Sequence, residues 1–505
     1  MAAAALLRQR GGRVVVTSPT QEATLQLFEA AARCLEGTPG VERVGPFHLT
    51  FLHRGSLEFV SPAELLGGGG GPALRGAALL LVDEAAGFPV DAAVDILWRA
   101  RRVVMSTTLD GYEGSGQGFL VRVLPRLRQT RAQLRHVQLH EPLRWRRGCP
   151  LEALANAALL LEARPVDAEA VADTVPENVV FEELDRGQLC QPDGLELNSV
   201  FGLLRDGHYK TRPSDVSFFL DSPDITMFVL RRSGHIVGLT VVSVEEPVDD
   251  PQAAEELFLR QRKMAQNLLA QTLSAEAGLR RAAGLRYARV LRLCVHAALQ
   301  RRGLGARLLQ ETLGRAGATA GVDALGACFG ATPWLLKLWR GTGARLAWLA
   351  HGRDPSSGRH SAAVLVPLSA AAEGLAQRLQ ERLALRLPEF LCGPLATLDA
   401  STLAEVLAAL PPPRGCPPEG GAPSEEDADE VWSFGHGARS ASVCRDALVR
   451  AMLCALRPPR LPLDTRSEQV LMDFLQNRSA PRDETLARQV ARKLPWAAAP
   501  RGAGA

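Results

Sequence analysis

Short apolar runs alternate with helix-length stretches over the first 150 residues. RVVVTSP (13–19), ALLLVDEAA (78–86) and RRVVMSTT (101–108) are continuous apolar runs of strand length, and a helix is predicted to begin near Gln21. Buried strands alternating with helices predict a parallel sheet covered on both faces. LLGGGGGPALRG (65–76) reads as a loop between two such units. From about residue 176 the pattern changes. DITMFVLRRSGHIVGLTVVSVEE (224–246) predicts two strands turning at Ser233-Gly234. A helical stretch over roughly 251–282 follows. Next come a strand at RVLRLCVH (289–296), a helix at RRGLGARLLQETLGRAG (301–317) and a late strand at AAVLVPL (362–368). This is the pattern of a mixed α/β domain. After residue 370 the signal is helical, with PPPRGCPPEGGAPSEEDADE (411–430) expected to be a disordered insert and 496–505 a frayed tail.

Composition narrows the class only slightly. A chain of 505 residues is long enough for roughly two to four domains with proper cores. No apolar stretch approaches the roughly 18 residues that a membrane span needs. Nine cysteines lie scattered with no CxxC pair, which points to a reduced compartment and no structural metal. The start, MAAAALLRQRGGR, lacks acids but reads better as an interrupted helix than as a transit peptide. The net charge of +3 does not itself demand nucleic acid. Lysine occurs only at 210, 263, 337 and 493, so arginine is simply the common base of this chain and its abundance carries little functional weight.

Three stretches carry candidate chemistry. ALLLVDEAA ends in Asp83-Glu84, where a nucleotide-driven enzyme brings one acid to magnesium and a second to the attacking water. The partner such a strand needs, GxxxxGK[ST], occurs nowhere in the chain. In LRLCVHAALQRRGLGARLLQ (291–310), Gln300-Arg301-Arg302-Gly303-Leu304-Gly305 sits between a strand and a helix. Backbone N–H groups at such a helix start can cradle a pyrophosphate, although an ordinary helix entry would also use two glycines. Finally, 121–148 carries Arg122, Arg126, Arg128, Arg131, Arg135, Arg144, Arg146 and Arg147 with few acids. That is either a phosphate-contacting surface or a solvated arginine face.

The order hairpin, strand, QxxGxG turn, helix resembles the GNAT acetyltransferase superfamily, in which this turn holds the pyrophosphate arm of acetyl-CoA. Further stretches are more specific: STTLDGYEGSGQGF (106–119), EPLRWRRGCPLE (141–152), DGHYKTRPSDVSFFLDSP (206–223), NLLAQTLSAEAGL (267–279), FGATPWLLKLW (329–339) and DEVWSFGHGARS (429–440). With Asp83–Ala86 and Gln300–Gly305 they resemble, in order and over most of the chain, the bacterial tRNA(Met) cytidine acetyltransferase family. The resemblance implies an α/β architecture. A partial RecA-like, helicase-like module would occupy 1–165, a GNAT domain 176–370, and a mostly helical tRNA-docking tail 371–505. It implies a cytoplasmic enzyme that transfers acetyl from acetyl-CoA to the exocyclic amine of the wobble cytidine of elongator tRNA(Met), driven by ATP or GTP hydrolysis with magnesium.

By that resemblance Leu293, Cys294 and Val295 would serve the acetyl-pantetheine arm, and Gln300, Arg301, Arg302, Gly303, Leu304, Gly305 and Ala306 the rest of acetyl-CoA. His208, beside Tyr209, would handle the amine proton, since a conjugated cytidine amine must lose a proton as it attacks. Asp83 would hold magnesium with the nucleotide, Glu84 would assist water, and Gln117 stands where the family has a nucleotide-linked arginine. The arginines of 121–148 would meet tRNA.

Departures from the family pattern qualify this. The missing phosphate loop is expected to belong just before Met1, so the chain is expected to begin inside its motor module. A sheet without its first strand would then expose apolar faces. Trp334 and Gly341 stand where the family often has an acid and an arginine, and VEEPVDD (244–250) replaces a more glycine-rich turn. Two alternatives follow: a GNAT enzyme with another substrate, or a non-catalytic RNA-binding homologue.

Overall fold

Three consecutive valines, Val14 to Val16, explain the first sheet, because each is fully buried. The computed structural model describes residues 12–51, 55–66, 73–88, 90–108, 119, 123–124, 127–128, 133–139, 141, 145–189, 194–207, 214–354, 359–412, 424–457, 464–476 and 484–494. The first sheet comprises β1 (Gly12–Thr17), β2 (Val41–Gly45), β3 (His48–Phe51), β4 (Gly55–Phe59), β5 (Ala77–Val82) and β6 (Val103–Met105), in the order β2-β3-β4-β1-β5-β6. β4, β1, β5 and β6 run parallel, while β2, β3 and β4 form an antiparallel meander. Helix α1 (Leu25–Leu35) packs Phe28 and Leu35 with Val14 and Val16. On the opposite face Val15, Leu80 and Val82 cluster with Ile96 and Leu97 of α2 (Val90–Arg99). Successive side chains of β1 thus enter opposite layers, which is why an unbroken apolar run was required. Both faces of β1 are covered, whereas Val104 of β6 is 54% exposed, so the expected exposure of apolar sheet faces holds at β6 and not at β1.

The second sheet contains β7 (Val180–Glu183), β8 (Ile225–Arg232), β9 (His235–Glu245), β10 (Tyr287–Val295), β11 (Ala324–Gly330), β12 (Arg345–Arg353) and β13 (His360–Pro367). Their order is β12-β13-β11-β10-β9-β8-β7. β8 and β9 form the predicted hairpin, with Ser233 (φ 49°) and Gly234 (φ 83°) both left-handed as a tight two-residue turn requires. β10 and β11 are parallel, with Tyr287 to Arg289 paired with Ala324 to Gly326. Helices placed near this sheet in the chain include α3 (Pro150–Ala158), α4 (Leu195–Gly207) and α5 (Leu304–Ala318).

The stretch 251–282 is not one helix. An α-helix at Pro251–Phe258 stops before left-handed Arg260 (φ 61°). Helix resumes only at Leu268–Gln271, passes into a π-helical turn at Thr272–Glu276 and ends before Gly278 (φ 79°). The tail is helical as expected, with long helices at Ala370–Leu391 and Arg445–Leu456. The expected disordered insert is corrected at its end. Ser424 caps the helix Glu425–Gly435, which buries Val431 and Phe434 and is held by an Asp427–Arg450 fork with bonds of 2.6 and 2.7 Å. Residues 413–423 lie outside the described set.

The chain divides into two compact units. One comprises Met1–Ser243, Val290–Gly314 and Arg353–Arg359; the other comprises Val244–Arg289, Arg315–Gly352 and His360–Ala505. Among the described residues no helix is long and apolar enough to cross a membrane, and no cluster of His, Cys, Asp and Glu could hold a metal ion. Cys454 is disulfide-bonded, which departs from the reading of nine reduced cysteines.

Candidate functional site

The end of β10 and the start of α5 form the predicted turn. Leu293 and Val295 pack on one face with Leu299, Leu304 and Leu308, while Cys294 points into the opposite cluster with Leu203 and Leu204. After β10 a single 3-10 turn, Ala297–Leu299, leads to Gln300, whose Nε2 donates to the Val295 carbonyl at 3.2 Å. Arg301 (φ 64°) and Gly303 (φ 86°) are both left-handed. An arginine in that region costs on the order of 1 kcal/mol, so the loop is held there by its surroundings. The Arg307 N–H returns to the Gly303 carbonyl at 3.1 Å. The N–H groups of Leu304, Gly305 and Ala306 precede that bond in the first turn, where an anion is favoured. A Cβ on Gly305 would meet Val295 only at 3.8 Å, whereas Arg301, Arg302 and Gly303 are exposed. The predicted residues Leu293 to Ala306 therefore form one continuous strand–turn–helix segment. The Arg302 guanidinium is turned away from it, donating to the carbonyls of Ala172 (2.8 Å) and Thr174 (3.4 Å), so Arg302 offers the turn its backbone.

Helix α4 brings the next element to the same strand. Its last residue, Gly207, lies so close to β10 that a Cβ there would sit 2.5 Å from Cys294 Sγ and 2.9 Å from Cys294 Cβ. His208 and Tyr209 follow directly and lie outside the described residues. The position before His208 is thus in contact with Cys294, a juxtaposition that sequence spacing alone could not foresee.

Asp83 and Glu84 leave β5 at its carboxyl end, the edge at which open parallel sheets bind ligands. Ser106 Oγ donates to Asp83 Oδ1 at 2.6 Å, and the Ala86 N–H donates to Thr107 Oγ1 at 3.1 Å, so the acid end of β5 is stitched to the residues after β6. Glu84 is left-handed (φ 50°). The neighbouring hydroxyls Thr17 Oγ1 and Ser18 Oγ are buried and without a hydrogen-bond partner among the described residues. Gln117 lies outside the described residues, as do Arg122, Arg126, Arg131 and Arg144; Arg128, Arg135, Arg146 and Arg147 are exposed. Trp334 is 56% exposed, and Gly341 closes the helix Pro333–Gly341 with open space around it.

Known proteins share these stretches of sequence. Residues 1–162 match the family profile described as RNA cytidine acetyltransferase NAT10/TcmA, helicase domain, and residues 199–315 match GNAT acetyltransferase 2. A tRNA(Met) cytidine acetyltransferase TmcA of Nitrosococcus halophilus (strain Nc4) is 35% identical over 482 residues, covering 94% of this chain and 62% of that protein. The chain belongs to the TmcA/NAT10 family. The TmcA of Haloferax volcanii is 34% identical over 81% of this chain and 53% of its own length. The chain therefore spans between about half and 62% of the length of these relatives. Among solved structures, Arabidopsis thaliana NAA60 in complex with acetyl-CoA aligns over 38% of this chain and 98% of its own, at 11% identity and a TM-score of 0.27.

One buried polar centre of this TmcA/NAT10-family chain has no obvious sequence signal. Glu245, at the end of β9, is fully buried and accepts the N–H groups of Leu268 (2.9 Å), Leu269 (3.0 Å) and Ala270 (3.4 Å). Arg289 Nε donates to the same carboxylate, and Arg289 Nη2 donates to the Gln266 carbonyl at 3.3 Å. Burial pushes the Glu245 carboxyl above the ordinary glutamate value, against the pull of Arg289 and the backbone N–H groups. This side chain decides where helix restarts after the break at Arg260. Its only trace in the sequence is the acidic VEEPVDD turn.

The same surroundings silence Cys328. Burial pushes its thiol up to about 12, with the Arg289 charge lowering it and Glu245 raising it. A thiol raised in this way is a weak nucleophile near neutral pH, even though the side chain is only partly buried. Native protein treated with iodoacetamide at pH 8 is expected to be labelled at exposed Cys34 and unlabelled at Cys328 by peptide mass spectrometry. Labelling of both at similar rates would contradict the raised thiol pKa.

Proposed function

We propose that this chain is the helicase-like and GNAT part of a cytoplasmic RNA cytidine acetyltransferase that forms N4-acetylcytidine at the wobble position of elongator tRNA(Met). The observation that carries the reading is the order of the two matches, helicase domain then GNAT domain, with 35% identity to a TmcA across 94% of the chain. In this reading the modules are 1–165, 176–370 and a tRNA-docking tail at 371–505. The residues fit acetyl-CoA: left-handed Arg301 and Gly303 open the loop, and three first-turn N–H groups follow it. Acetyl-CoA would supply an activated acetyl thioester.

The chain's own groups do the rest. Gln300 to Ala306 would bind the pyrophosphate through backbone N–H groups. Leu293 to Val295 of β10 would serve the pantetheine, and an N–H near Cys294-Val295 would face the charge that develops on the thioester oxygen. His208, with Tyr209, would take the proton of the amine. A wobble cytidine lies in a loop and can be splayed into a pocket without opening a duplex. Arg128, Arg135, Arg146 and Arg147 would contact tRNA phosphates.

ATP or GTP with magnesium fits this chain less well. Asp83 and Glu84 stand at the right strand end, but Asp83 accepts from Ser106 and the chain carries no GxxxxGK[ST] loop, so no hydrolysis step is derived.

The full chain, incubated with acetyl-CoA and unmodified tRNA with and without ATP, is expected to yield N4-acetylcytidine on digestion of the RNA. His208→Ala is expected to lower that yield by about a hundredfold with acetyl-CoA affinity intact. Acetyl-CoA binding without any RNA product would favour a GNAT enzyme of another substrate. RNA binding without acetyl-CoA binding would favour a non-catalytic homologue.

A further inference from the structure

We propose that residues 163–176, the first part of the stretch between the two matched segments, form a fixed strap behind the candidate pyrophosphate loop, with His296 and Arg302 as the positioning residues that lock the loop to it. This rests on the reading of that loop as an acetyl-CoA site. The connecting sequence, ARPVDAEAVADTVP, looks like an exposed linker, and most of its residues outside Ala163, Val171 and Thr174 are accessible.

Its ties are specific. Ala163 is buried in the cluster that holds Leu203 and Leu204. The backbone of α4 at Gly202 approaches the Arg164-Pro165 peptide so closely that any Cβ would collide with it. His296 is buried, and its Nδ1 accepts the Ala298 N–H at 3.3 Å. That bond fixes the tautomer: Nε2 carries the proton and donates to the Val166 carbonyl at 2.9 Å. Val166 and Val171 pack with Leu299, Leu304 and Leu308. Arg302 reaches the carbonyls of Ala172 and Thr174. Asp173 pairs with Arg232 at 2.6 Å, and the Pro176 ring lies 3.3 Å from where a Cβ on Gly303 would stand.

The strap thus grips the loop at His296, Arg302 and Gly303, on either side of the left-handed Arg301. An anion site works when its N–H groups are already aimed, because a loop that must order on binding loses affinity. The strap supplies that order. The imidazole does two jobs at once, capping the 3-10 turn with one nitrogen and holding the strap with the other.

Three variants of the full chain separate these roles. His296→Asn keeps an acceptor near Nδ1 but cannot reach Val166. His296→Gln keeps a donor at the reach of Nε2. Arg302→Met removes both bonds to Ala172 and Thr174. Hydrogen–deuterium exchange is followed in peptides spanning 163–176 and 297–306, and acetyl-CoA affinity is measured by calorimetry. His296→Asn and Arg302→Met are expected to raise exchange in both segments together and to leave the β8–β9 hairpin unchanged. They are also expected to weaken acetyl-CoA by about tenfold, while His296→Gln stays within about threefold of wild type. Unchanged exchange in the Asn and Met variants overturns the strap, as does a rise confined to one segment or a Gln variant as damaged as Asn. A wild-type chain that does not bind acetyl-CoA would sink the cofactor reading, and the exchange data would still judge the strap.

Discussion

Replacing Glu245 by alanine is expected to cost about 4 kcal/mol of unfolding free energy, the largest stability loss of any single substitution considered for this chain. The carboxylate has four partners: Arg289 and the N–H groups of Leu268, Leu269 and Ala270. Its removal leaves three buried helix-start donors without an acceptor and a mostly buried guanidinium without its counter-charge, and both penalties act in the folded state alone. Chemical unfolding of the full chain at neutral pH, followed by circular dichroism, measures the loss. A cost below about 1 kcal/mol would mean that water replaces the carboxylate.

The pH dependence has a definite sign. Burial raises the folded-state pKa of Glu245 above its ordinary value of 4.5. The titrating part of this group's contribution is therefore fully present below that value and declines as pH rises through the folded-state pKa, while its acceptance of the three N–H groups, which Glu245→Ala loses, remains at neutral pH. The advantage of wild type over Glu245→Gln should accordingly shrink, not grow, as the pH is raised from 4.5.

The parts of this molecule that were legible in sequence are those whose signal is local. Val14 to Val16 announced a strand buried on both faces because every side chain in such a strand must be apolar. The Ser233-Gly234 turn was legible because the turn itself demands positive φ at both residues. The run from Gln300 to Gly305 stood out because the glycines, the preceding strand and the following helix are contiguous.

What escaped is long-range. The β2–β3–β4 meander has short strands with polar outer faces, so VERVG and GSLEF carry too little apolar pattern to register. The break near Arg260 was hidden because 251–282 is rich in helix formers, and the reason helix restarts at Leu268 is a carboxylate 23 residues earlier. His296 resembled any strand-ending polar residue until the Val166 carbonyl, 130 positions away, proved to be its partner. Tertiary partners of this kind override propensity without leaving a trace in the local sequence.

Gly207→Ala is expected to slow acetyl transfer by about a hundredfold while changing acetyl-CoA affinity by no more than about threefold. An added Cβ would sit 2.5 Å from Cys294 Sγ and 2.9 Å from Cys294 Cβ, and neither atom lies at the end of a long flexible side chain. The end of α4 must therefore move away from β10, which would disturb the proton-handling role proposed for the next residue, His208. A displacement of about 1 Å at a proton-handling group can cost about 100-fold in rate. The proposed cradle from Gln300 to Ala306 is anchored separately by Leu304 and Leu308, so acetyl-CoA binding should survive. Overpacking should also lower stability by about 1–3 kcal/mol. Cys294→Ala removes the worse of the two contacts, so the double variant should regain part of both losses, with a coupling of at least about 0.5 kcal/mol between the two positions in thermal unfolding. Additive stability effects would show that Gly207 and Cys294 are not in contact. That result would remove the contact between the position before His208 and the strand proposed to carry acetyl-CoA.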